Sequence, residues 1–158
     1  MKVEFIKYTG PNFQIVRPTN WTITSSPAYQ VMFIAPPLVP NEKVPANLMV
    51  NQRLMEDEVS MDEIVHLSHQ TQQKEYKNFQ LLNEEKNGSK PHEVYKQVYT
   101  WKNTEGVGIY QQQVFILVHN LFMTITMTRQ NGKEFIVVDP IFAMMVSSLT
   151  FDQKPLDT

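Results

Sequence analysis

The order of elements in these 158 residues predicts an α+β protein, a curved antiparallel β-sheet flanked by helices. Three observations carry that prediction. Apolar residues alternate at period two in many strand-length pieces, whereas a helical period holds in only two stretches. The strands also follow one another in runs joined by turn residues, without the one-to-one alternation with helices that builds a parallel doubly wound sheet.

Phe13-Gln14-Ile15-Val16 alternates and is stopped by Pro18, and Trp21-Thr22-Ile23-Thr24 resumes the pattern. Tyr29 to Ala35 is rich in β-formers, after which Pro36, Pro37, Pro40 and Pro45 require a loop from Pro36 to Ala46. Asn47 to Met55 reads as a strand with Leu48, Val50 and Leu54 on an inner face and Asn47, Met49, Asn51 and Arg53 on the other. Ser60-Met61-Asp62-Glu63 is a capping box with an acidic first turn, and it starts a helix predicted to run to about Lys77. Its apolar stripe is Met61, Ile64, Val65, Ser68, Gln72 and Tyr76.

Phe79 to Glu84 is a further strand, and Asn87-Gly88-Ser89 is a turn signal before the strand His92 to Lys102. Asn103 to Gly108 closes a hairpin onto Tyr110 to Val118, and His119-Asn120 closes another onto Leu121 to Arg129. After Asn131-Gly132, the residues Phe135, Val138, Ile141, Phe142, Met145 and Leu149 share one helical face, with Asp139-Pro140 as an internal helix start. No internal repeat is visible, and Gln111-Gln112-Gln113 is too short to act as a low-complexity tract.

This length suits a single domain, residues 1–158 with a core from about 13 to 151. Charged residues make up 19%, below the roughly 25% of an average globular chain, and the net charge is −2. That balance provides neither the basic footprint of a nucleic-acid binder nor a polybasic membrane anchor. The absence of cysteine excludes disulfides, iron–sulfur clusters, thiolate nucleophiles and cysteine-based zinc sites. Met1 to Tyr8 alternates charge with apolar residues, and the apolar run Val114 to Leu121 is too short for a span, so the expectation is a cytoplasmic protein without membrane insertion.

Catalytic patterns are weak. His66 and His69, with Glu63 one turn earlier, could approach a cation, but a solvated helix face accounts for them better. Glu56-Asp57-Glu58 stands where charge solvates a loop and favours a helix N-terminus. With five glycines there is no phosphate-cradling loop or dinucleotide fingerprint, and no serine sits in a nucleophile elbow. Tyr95, Tyr99 and Trp101 line one side of a strand without accompanying basic residues, which predicts packing beneath a helix. The expectation is no enzyme, no cofactor and no metal.

The more informative feature is a sheet face. If Leu121, Met123, Ile125 and Met127 point inward, Phe122, Thr124, Thr126 and Thr128 point the other way. Met32, Ile34, Met49, Asn51 and Arg53 join them on that side, and a surface mixing Thr, Asn and flexible Met suits adaptable recognition of an apolar or mixed helix. These nine residues are the candidate partner-binding site.

Phe13-x-Ile15-x-x-Pro18-x-x-Trp21, Asn47-Leu48-x-Val50, Ser60-x-x-Glu63, Tyr99-x-Trp101, Tyr110-x-Gln112, Thr124-x-Thr126-x-Thr128 and the ending Ser147-Ser148-Leu149-Thr150-Phe151 together resemble the DcrB-like domains of the PsbP-like superfamily. The resemblance runs from Phe13 to Phe151. It implies the curved antiparallel sheet, no enzymatic activity and a protein partner. Within that superfamily the pattern is similar to the Eag-type chaperones of type VI secretion, which hold apolar helices of effectors against the sheet, often as dimers. A structural or accessory subunit of a larger assembly, the role of PsbP-like domains in photosystems, is the alternative that the resemblance leaves open.

Overall fold

The computed structural model describes residues 2–55, 59–89 and 92–151, so the acidic run at 56–58 lies outside the described residues. Among the described residues, ten strands and two α-helices occur in the order β1 (Phe5–Gly10), β2 (Phe13–Pro18), β3 (Thr22–Ser26), β4 (Tyr29–Ile34), β5 (Asn47–Leu54), α1 (Met61–Glu75), β6 (Lys77–Ser89), β7 (His92–Lys102), β8 (Gly108–Val118), β9 (Leu121–Gln130), α2 (Asp139–Ser147) and β10 (Thr150–Phe151). A 3-10 helix, Lys133–Val138, leads into α2. The α+β antiparallel class is therefore as predicted, although the strands form two sheets and not one.

The main sheet has the order β3-β4-β5-β9-β8-β7-β6 and every pairing in it is antiparallel. It consists of two meanders, β3 to β5 and β6 to β9, joined where β5 pairs with β9. The second sheet, β1-β2-β10, arises from two strands absent from the sequence prediction. β1 alternates charge with Phe5, Ile6 and Tyr8, and Gly10 pairs with Phe13 across a tight turn at Pro11-Asn12, where Asn12 has φ 72°. A Cβ on Gly10 would come within 2.5 Å of the Phe13 ring, so only glycine fits there. β10 is two residues long and is held by its partner β2, leaving no local pattern to read.

The core lies between the two sheets. Val31 and Phe33 of β4, Leu48 and Val50 of β5, Val114, Ile116 and Val118 of β8, and Met123, Ile125 and Met127 of β9 form the inner face of the main sheet. Phe13 and Ile15 of β2 and Val138, Phe142 and Met145 of the C-terminal helices cover it. Trp21 meets Phe142 edge-on at 5.9 Å, and Arg129 grips Asp139 with two guanidinium nitrogens, so α2 is fixed to the end of the sheet.

Three boundaries differ from the prediction. Leu54, expected on the inner face, is 62% exposed, because the cover reaches only to Gln52, whose side-chain amide donates to the Pro11 carbonyl. Asn87-Gly88-Ser89 is not a turn; β6 continues through it in register with β7, since tertiary pairing overrides the local turn preference. α1 stops at Glu75, and Tyr76 caps it with an extended backbone. The predicted Ser60 cap is present, its hydroxyl accepting from the Glu63 N–H at 3.1 Å, and α2 begins at Asp139 with Pro140 in its first turn. Among the described residues no helix is long and apolar enough to cross a membrane.

Candidate functional site

The outer face of the main sheet carries the nine residues singled out from the sequence, and the strand registers bring them together. Met32 pairs with Met49, and Met49 with Thr126. In the next rows Ile34 joins Asn47 and Thr128, Asn51 faces Thr124, and Arg53 faces Phe122. Eight of the nine are half-buried or exposed. Thr126 departs from the expectation of an open surface: it is 6% exposed, because its hydroxyl accepts from the Gln113 side-chain amide at 3.1 Å in the row beside it.

That hydrogen bond belongs to a pattern set aside in the sequence. Gln97 donates to Gln113, which donates to Thr126, and one row along Trp101 donates to Gln111, which donates to Thr128. Gln111 and Gln113 thus cross-link β7, β8 and β9 on the outer face, while the intervening Gln112 pairs with Met127 on the inner one. In the sequence the Gln111 to Gln113 triplet is only a run too short to act as a low-complexity tract; the spacing of two between Gln111 and Gln113, beside that of Thr126 and Thr128, is the signal that could have revealed the ladder.

Helix α1 crosses this face and divides it. Met61 and Ile64 pack on Tyr95, Phe115 and Leu117, with Val65 and Phe122 beside them. Toward its C-terminus the Tyr76 ring stacks on Trp101 at 4.3 Å. Tyr95, Tyr99 and Trp101 are therefore beneath a helix, as their lack of basic neighbours predicted. Burial pushes the hydroxyls of both Tyr95 and Tyr99 above the ordinary tyrosine range, and the Glu84 carboxylate, which accepts from Tyr95, raises the former further. His69 also faces inward, its Nε2 lying 3.0 Å from the Tyr95 hydroxyl, whereas His66 is exposed, so a solvated face describes only one of the pair. Among the described residues no three metal-ligating side chains converge.

On the β4-β5-β9 side the face is not covered by α1. A groove of about 390 Å³ runs between the helix and strands β5, β8 and β9. Its floor includes Phe122, Thr124, Gln113 and Arg53, and its helix wall Ile64, Leu67 and Thr71. Leu67 is 62% exposed and stands on the helix wall of the groove. Arg53 and Glu63 bring opposite charges to the groove, and neither stands beside a nucleophile–base pair. The arrangement is adapted to contact over a length of side chains more than to chemistry at one atom.

Comparison with known proteins agrees with this architecture. The profile of the DcrB family matches residues 32–134. The fold is similar to that of cyanobacterial PsbP from Synechocystis sp. PCC 6803, with a TM-score of 0.70 and 13% identity over 96% of this chain and 95% of that one. A Pseudomonas aeruginosa protein of unknown function, PA94, gives 0.67 and 16% identity over 96% and 99% of the two chains. The Saccharomyces cerevisiae Ran-binding protein Mog1p gives 0.63 and 12% over 96% of each. No curated protein matches the sequence.

Proposed function

The chain belongs to the DcrB family, and we propose that it is a non-enzymatic protein-binding module, a single DcrB/PsbP-like domain whose site is the open half of the outer sheet face. The observation that carries this reading is the strip of the outer face that α1 leaves uncovered, Met32 and Met49 in one row and Thr124 and Phe122 in the next two, the last two lining a groove beside Leu67 of α1. A partner helix laid along the groove and over the neighbouring strip would exchange the hydration of Phe122 and Thr124 for contact with a wall that includes Leu67, and would meet Met49 and Met32 outside the groove.

Within that reading the protein serves in the cytoplasm as a chaperone or adaptor for an effector or component of a type VI secretion or related contractile injection system, receiving one of its apolar helices. The motif resemblance supports this role, and Mog1p, a Ran-binding protein, provides a precedent for protein binding on the same fold. A second reading, an accessory subunit held permanently in a larger assembly, draws on the likeness to PsbP.

Affinity purification of the tagged protein from its native cell separates them. Recovery of a secreted effector or spike component with an apolar helix, lost on the double change Met49→Asp and Thr124→Asp with the circular dichroism spectrum unchanged, is the expected result. Both positions are partly solvent-accessible, so the charges need not be buried, whereas an aspartate at Thr126 would be. The same partners on the variant as on the wild type would remove the site. A complex of fixed stoichiometry that does not exchange would favour the accessory subunit.

A further inference from the structure

A second recess lies on the face of the main sheet opposite the groove. Gln80, Thr100, Tyr110 and Arg129 stand in one row across β6, β7, β8 and β9. The adjacent row carries Gln111 and Thr128 to the outer face, so alternation sends this row to the inner one. The 3-10 helix stands beside it, and a cavity of about 400 Å³ is lined by this row, by Leu82 at the second register shift of β6 and by Ile136 of the 3-10 helix. That volume lies within the range of small-ligand sites. Leu82 is 52% and Ile136 50% exposed, so both apolar walls face solvent.

The charges around the cavity have one sign. Arg129 and Lys133 line it, whereas among the described residues no carboxylate does. Arg129 is 4% exposed and is held from outside the lining: two of its nitrogens donate to Asp139, a third bond goes to the Gln130 carbonyl, and the guanidinium lies 3.9 Å from the centre of the Tyr110 ring. A guanidinium has five N–H groups, so two remain without an acceptor among the described residues. Lys133 is exposed and makes no ion pair among the described residues. Two residues beyond Thr100, and therefore on its face, Lys102 stands directly opposite Lys77 in the ladder, again with no ion pair there. Like charges directly opposite are unfavourable, and an anion beside them relieves the repulsion.

We propose that this cavity binds a small aliphatic monocarboxylate, its chain between Leu82 and Ile136 and its carboxylate toward Lys133 and Arg129. A recess walled by apolar groups and lined by one sign of charge concentrates the opposite sign, which disfavours a cation. A polyanion such as nucleic acid gains its affinity from phosphate contacts and would leave Leu82 and Ile136 unused. A monoanion with an aliphatic body answers both the charge and the walls. The cavity is on the other side of the sheet from the groove and does not depend on the function proposed for it.

The test is titration of the intact protein with octanoate, followed by backbone amide chemical shifts. Saturable shifts centred on Leu82, Thr100 and Ile136 are expected. Octanamide keeps the chain and removes the charge, and should bind about tenfold more weakly. Acetate keeps the head and removes the chain, and should bind more weakly by at least about tenfold. Lys133→Gln should weaken octanoate about fivefold and leave octanamide unchanged. Its melting temperature should equal that of the wild type, because Lys133 is exposed and unpaired among the described residues. Equal affinity for octanoate and octanamide, indifference of octanoate to Lys133→Gln, or absence of saturable shifts would each overturn the proposal. So would shifts centred on Leu67 and Phe122, which place the ligand in the outer groove.

Discussion

The two faces of the main sheet are built from alternate residues of the same strands, yet they are closed by different means. On β9, Met123, Ile125 and Met127 enter a dry interior sealed by β2 and α2, while Phe122, Thr124 and Thr128 face a side where α1 covers only part of the surface. The inner face is held by area: its side chains are nearly all apolar, and contact with a second layer removes them from water. The outer face is held in part by pairing: the Gln97–Gln113–Thr126 and Trp101–Gln111–Thr128 ladders join β7, β8 and β9 laterally, while α1 and Tyr76 cover their β7 end and the buried Gln97 Oε1 has no partner among the described residues. A face stabilised laterally can remain open, and an open face is available to a partner.

The comparison is broken most directly at the inner face. Phe142→Ala removes a ring that is 1% exposed and packed edge-on against Trp21, and should cost about 3–5 kcal/mol in urea unfolding. A loss below about 1 kcal/mol would mean that this layer is not the dominant closure. A smaller effect is expected from Thr126→Val, which keeps the shape but leaves the Gln113 amide without its acceptor, costing about 1–3 kcal/mol. A stabilised Thr126→Val would show that the ladder does not hold the outer face.

Alkaline titration sharpens the distinction under α1. Tyr95 and Tyr99 have folded-state pKa values above those of the unfolded chain, so their contribution is fully present below the unfolded tyrosine value of about 10 and declines as pH rises toward the folded values. Unfolding free energy should fall above that pH, and Tyr99→Phe should flatten the fall. The smallest change is expected on the uncovered strip. Met32→Thr should alter stability by no more than about 0.5 kcal/mol, and a larger loss would indicate that the strip is closed in solution.

Much of this architecture was legible in the sequence because its causes are local. Ser60 and Glu63 mark a helix start by their own hydrogen bonding, Pro36 to Pro45 prohibit a central strand, and Asp139-Pro140 opens α2. The period-two alternation of β9 separated the two faces correctly, and the registers place Met32, Met49 and Thr126 in one row. Local pattern failed where a partner strand made the decision. β10 exists only because β2 lies beside it, and Asn87-Gly88 remains in a strand because β7 holds it there.

Alternation along each strand thus determined which residues could share a face, since successive side chains must point to opposite sides whatever the strand pairs with. Tertiary structure alone decided which part of each face is covered. Coverage depends on where distant segments dock: the β1-β2 turn stops at Gln52 and leaves Leu54 exposed, Gln113 draws Thr126 out of solvent, and α1 seals Tyr95 while leaving Thr124 beside an open groove. The physical reason is one of range. A strand's pleat is set by its own covalent geometry, whereas burial is set by contacts between residues far apart in the chain, and no local period encodes their positions.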